Sequence, residues 1–145
     1  MSEGTGLLRR FYEEVLAGGN LALIDEFVLD DIQDHEDPMP GQPPGKDGVK
    51  FYTNAIRTAF PDLTVKLDPT LAEGDLEAGH VVLSGTHTGE FLGVPASGKS
   101  VQFSSADIIR IQDGKVAEHW GSSDTLSLMQ QIGAVPSQTT DASAG

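Results

Sequence analysis

The hydrophobic period of this chain changes at Pro61, and that change narrows the available folds more than any single motif. Before it, Leu8, Phe11, Val15 and Leu16 recur at helical spacing with Glu13 and Glu14 opposite, which predicts an amphipathic first helix. Gly18-Gly19 ends that helix. Asn20 is a natural cap for a second one through Leu21, Ile24, Phe27 and Val28. The run from Asp34 through Pro38 into Pro40-Gly41-Gln42-Pro43-Pro44-Gly45 reads as loop, and a third helix with Val49, Ile56 and Phe60 inward stops at Pro61. Beyond it, Leu63–Leu71, His80–His87, Lys99–Ile111 and Lys115–Gly121 are rich in β-branched and aromatic residues and are separated by Gly, Pro and Asp. A short helix over Thr125–Ile132 follows, with Asp124 at its cap position. Helices first and antiparallel strands second is the α+β order, with helices packed on one face of a curved meander.

A length of 145 residues suits one domain, expected over residues 1–136. The tail 137–145 holds only small and polar side chains and is expected to be disordered. With no cysteine, disulfides, thiolate nucleophiles and cysteine-ligated zinc drop out. No apolar run is long enough to span a bilayer and no signal pattern opens the chain, so the expected location is cytoplasmic, with no membrane partner. Against 22 acidic residues stand 9 basic ones, scattered, for a net charge of −13. No nucleic-acid partner is therefore expected, and a neutral or apolar small molecule suits the surface best.

The turn at Gln112-Asp113-Gly114-Lys115 governs which side chains meet across the last two strands. A two-residue Asp113-Gly114 turn would set Asp107 opposite Trp120, and a three-residue loop would set it opposite His119. The second is the expected register, because it stacks Val101, Phe103, Ile109 and Ile111 with Ala117 on one face. That face is then apolar except for Ser105, Asp107 and His119, and a carboxylate facing an imidazole on an apolar wall is an acid–base pair. Asp107 and His119 are the expected catalytic residues, against the alternative of buried structural hydrogen bonds.

Phe103 and Ser105 share their face and are expected to bind substrate. His35 would sit at the pocket rim, His87 in a Gly-rich turn is a substrate contact or loop packing, and the hydroxyl of Tyr12 or Tyr52 would serve a developing enolate oxygen. Trp120 belongs by parity to the far face, with Gln102, Ser104, Ile108, Arg110 and Glu118, a mixture suited to a subunit interface. It is counted among the substrate-binding candidates as well. The four histidines lack the short spacing of metal sites, and no phosphate loop or dinucleotide motif is present, so neither metal nor cofactor is expected.

The loop from Gly85 to Pro95, the segment Arg110–Val116, Glu118-His119-Trp120 and the closing Gln130-Gln131-Ile132-Gly133 together resemble the SnoaL-like polyketide (ester) cyclases. These are cone-shaped proteins of the nuclear transport factor two-like superfamily, and the resemblance runs to Pro136. It implies a cofactor-free homodimer with a deep pocket, in which an Asp takes the proton beside a carbonyl, a His faces that Asp, and aldol addition closes a ring. The family's Asp corresponds to Gly121 here and its facing His to Asp107, so acid and imidazole would have exchanged strands, with His119 as the imidazole. The expected function is cofactor-free cyclisation or proton-transfer isomerisation of a small carbonyl compound. The alternatives are a non-catalytic small-molecule-binding dimer and, through an Asp–Arg–Asp set, an epoxide hydrolase.

Overall fold

Pro61 and the Asp113-Gly114 turn divide the molecule as their chemistry requires. The computed structural model describes residues 5–136, so the tail 137–145 lies outside the described residues. A helical run opens the fold as α1 (Leu7–Arg10) and continues with π-helical winding over Phe11–Ala17, followed by α2 (Leu23–Phe27). Strand β1 (Val28–Asp34) precedes the long helix α3 (Gly45–Ala59). Four strands then run in succession, β2 (Thr64–Glu73), β3 (Leu76–Thr86), β4 (Ser100–Gln112) and β5 (Lys115–Ser123), and α4 (Thr125–Gln131) closes the domain. The sheet order is β1-β5-β4-β3-β2.

Two helix boundaries differ from expectation. Val28 does not end the second helix but begins β1, and α2 is preceded by Ala22 with no side-chain cap, so Asn20 contributes only its carbonyl, to the amide of Leu23. β1 itself is a correction. It pairs in parallel with β5, joining Asp34 to His119 across the sheet edge, where the sequence pattern points to helix end and loop. All other pairings are antiparallel.

The odd-numbered residues of β4 form the concave face: Val101, Phe103, Ser105, Asp107 and Ile109 are all buried. Against them pack Leu16, Ile24 and Phe27 from the N-terminal helices, Ile56 from α3 and Phe60 just past its end, none more than 5% exposed. Burying these side chains is the main drive to fold. One long-range contact pins the first helix over this face. The Glu77 carboxylate on β3 accepts from the backbone amides of Thr5, Gly6 and Leu8 and from the Thr5 hydroxyl, serving donors a helix start leaves unpaired. Asp124 does the same locally for α4, accepting from the Ser127 amide at 3.1 Å.

Candidate active site

The β4–β5 hairpin sets the site, and its register corrects the sequence expectation. Gln112 pairs with Lys115 around a two-residue turn whose Asp113 (φ 53°) and Gly114 (φ 76°) both lie in the left-handed region. Asp-Gly takes that geometry at little cost, which favours it over the three-residue loop. A bulge then inserts Ala117, so that Arg110 meets Glu118, Ile109 meets His119 and Asp107 meets Gly121. Asp107 and His119 are thus diagonal neighbours on one face. They touch because the residue directly opposite Asp107 has no side chain: His119 Nε2 lies 2.7 Å from Asp107 Oδ1.

His119 is held at both ends. Its Nδ1 lies 2.9 Å from Asp34 Oδ1 on the neighbouring parallel strand. Burial opposes a charge here, but the hydrogen bonds to Asp107 and Asp34 outweigh it and raise the imidazole pKa to about 10, so both nitrogens carry protons and donate. Burial likewise opposes the Asp34 charge, and the His119 hydrogen bond still brings that carboxyl below its ordinary value. Asp107 also accepts from the Tyr12 hydroxyl and, at 3.0 Å, from Ser105. The result is a carboxylate–imidazolium–carboxylate chain, most deeply buried at its Asp107 end.

This chain lies on the wall of a cavity of about 270 Å³, lined by apolar side chains such as Phe11, Val28, Ile32, Ile56, Phe91 and Leu128. Tyr12, Tyr52, Phe103, Asp107 and His119 all line it. Ser105 sits one layer behind, bonded to Asp107 and to the Ser123 hydroxyl. Burial pushes the Tyr52 phenol pKa far up, so its proton stays in place as a donor.

Three expected contacts fall elsewhere. His35 extends from the end of β1 to the far face, where it bonds Glu118 at 2.6 Å and stacks on Trp120 with ring centroids 5.1 Å apart. Strand alternation turns both His35 and Trp120 away from the cavity that Asp34 and His119 face. His87 is fully buried against Phe60, its Nδ1 accepting from the Ser97 amide at 3.1 Å, and it does not reach the cavity.

The cavity also holds residues that the sequence reading passed over: Asp34, Glu36, Asp37 and Met39, all on or just after β1. Asp34 accepts from the amide of Glu36 at 3.0 Å, a local turn that swings the Glu36 side chain back into the cavity. No turn or apolar stripe in the sequence marks them, because β1 finds its partner β5 far along the chain. Asp34, Glu36 and His119 bring donor atoms within 4.8 Å of one another. As the structure stands, both His119 nitrogens bond to carboxylates, so the cluster presents no free imidazole lone pair.

Helices packed into the hollow of a strongly bent, mostly antiparallel sheet, with a polar cluster on the concave wall, define the cone fold of the nuclear transport factor two-like proteins. Within it, the chain belongs to the SnoaL-like polyketide cyclase family, whose model matches residues 6–132. Among solved structures it is similar to TsrD from Streptomyces laurentii, at 29% identity and TM-score 0.79 over 89% of this chain and 93% of that one. It is similar to wild-type IdmH from Streptomyces antibioticus, described as a candidate polyketide cyclase, at 29% identity and TM-score 0.76 over 91% and 99%. AclR from Streptomyces galilaeus, described as a candidate hydroxylase, aligns at 28% identity and TM-score 0.78 over 95% and 87%. No curated protein matches the chain by sequence. No helix among the described residues is long and apolar enough to cross a membrane.

Proposed function

We propose that this chain is a cofactor-free acid–base enzyme of cyclase type, acting on a small, neutral, largely apolar carbonyl compound such as a polyketide ester. The observation that carries this reading is the Asp34–His119–Asp107 chain on the wall of an apolar cavity. Asp107 and His119 form its centre, their shared proton and positive charge lying beside the place where an enolate would develop. Tyr52 is the hydroxyl to meet that oxygen, since the Tyr12 hydroxyl is already spent on Asp107. Ring closure by aldol-type addition, or isomerisation by proton transfer, is the chemistry such a charged, hydrogen-bonding wall supports once a base has taken the proton beside the carbonyl. Epoxide hydrolysis has less support: Arg110 pairs with Asp75 and Glu118 on the far face, and Arg57 bonds the carbonyls of Leu16 and Ala17.

The neutrality of the substrate follows from the lining. Asp34, Glu36, Asp37 and Asp107 face the cavity with one imidazolium, and no Lys or Arg side chain lines it among the described residues. A polyketide methyl ester should therefore bind at least about tenfold more tightly than its free acid at pH 7, and calorimetry on the pair measures this. Equal binding, or preference for the acid, would sink the charge argument. Binding of the ester without ring closure or isomerisation in the product mixture would favour the non-catalytic binding reading.

A homodimer through the far face belongs to the same proposal. Leu71 is 72% and Ile108 42% exposed there, beside the Trp120–His35 stack. Sedimentation at micromolar concentration should give twice the 15.3 kDa chain mass. A monomer would remove the proposal.

A further inference from the structure

We propose that Glu36 is the general base of this pocket, taking the proton from the carbon beside the substrate carbonyl. This deepens the acid–base reading of the site and rests on it. Of the four cavity carboxylates, two are already committed. Asp107 accepts from His119, Tyr12 and Ser105, and Asp34 accepts from His119 and from the Glu36 amide. A carboxylate whose lone pairs are held by strong donors is a poor proton acceptor. Asp37 is exposed to water. Glu36 is half-buried, lines the cavity, and has one partner among the described residues, the Ser123 hydroxyl at a long 3.4 Å.

Gly121 supplies the second observation. A Cβ at this residue would lie 2.5 Å from Glu36 Oε1, 2.7 Å from Asp107 Oδ1 and 2.8 Å from His119 Cε1. The missing side chain leaves a hollow on which the free carboxylate, the clamped carboxylate and the imidazolium converge. The groups facing Glu36 agree with the role. Burial raises its pKa, His119 and the Ser123 hydroxyl draw it down, Asp107 and Asp34 push it up, and the Tyr52 phenol faces it from α3. The net effect is a rise, toward the working pH of an efficient base.

In the reaction, the Glu36 carboxylate accepts the α-proton, the C–H pair becomes the enolate C=C bond, and the carbonyl π pair moves to oxygen. The enolate carbon then bonds to a second carbonyl carbon of the same molecule, and the alkoxide formed there takes the proton back from Glu36. Nothing is oxidised or reduced.

The probe 5-nitrobenzisoxazole tests this without the natural substrate. It is neutral, and its ring opens to a coloured nitrile phenolate when a base removes one C–H proton. Wild-type protein should open it faster than acetate at equal pH, with an inflection above the ordinary glutamate value of about 4.3. Glu36→Gln should lose about 100-fold or more and the inflection with it, and Glu36→Asp should restore part of both. Asp107→Asn should be slow yet retain the inflection. If Glu36→Gln stays within about threefold of wild type while Asp107→Asn loses rate and inflection together, Asp107 is the base: Glu36 falls and the acid–base reading stands. Wild-type protein no faster than acetate would overturn both.

Discussion

Asp107→Asn is expected to lower turnover about 10²–10⁴-fold while moving the thermal midpoint by only a few degrees. The amide keeps the shape of the carboxylate and can still accept from Tyr12 and Ser105, so the packing around it survives. What it cannot do is share a proton with His119 or balance its charge. Asp34 still pairs with His119 at 2.9 Å, so the buried imidazolium is not left without a counter-charge, which is what makes the loss of one partner costly. A purely structural Asp107 would give the reverse pattern, with strong destabilisation and unchanged activity in the folded fraction.

The pH dependence carries a second signature of the same substitution. The His119 pKa is raised in the folded state to about 10, so its contribution to stability is complete below the unfolded imidazole value of about 6.5. That contribution is lost as pH rises through about 10. Asp34, with its pKa lowered, works on the acid side: its contribution is present above the unfolded carboxyl value of about 3.9 and disappears as pH falls through the folded one. In the Asp107→Asn variant Asp34 is the one carboxylate still hydrogen-bonded to the imidazolium, and the alkaline loss of stability should begin nearer neutrality. Melting curves of both proteins between neutral and alkaline pH measure the shift, and superimposable profiles would mean that the Asp107–His119 bond holds no charge.

Gly121→Ala should cost about 100-fold in turnover or more, although it adds a single methyl group. All three contacts of the new carbon, with Glu36, Asp107 and His119, are 2.8 Å or shorter, so something must move. Asp107 is held by three donors and His119 by two acceptors, which leaves Glu36 to be pushed out of the hollow. Overpacking of this kind costs roughly 1–3 kcal/mol of stability. The fold should survive, because Gly121 is a half-exposed strand residue near the end of β5 rather than part of the hydrophobic core. Near-normal turnover would show that the three groups do not act from one point.

The amino-acid order by itself determined the elements whose signals are local. Pro61 had to end α3, Asp113-Gly114 had to turn the last hairpin, and Asp124 had to cap α4. The alternation in β4 put Asp107 among apolar neighbours on the buried face, because a strand with a period of two can bury only one of its sides. Only tertiary structure could decide the rest of the site. β1 carries Asp30, Asp31 and Asp34 in seven residues, and its partner β5 lies far along the chain, so no nearby turn or hydrophobic stripe announces the pairing. Yet that parallel edge brings Asp34 to His119 and delivers Glu36 to the hollow at Gly121. The same pairing turns His35 outward onto Trp120. The Ala117 bulge was hidden for a related reason: sequence shows which residues a hairpin can pair, whereas the register is chosen by packing the whole buried face at once.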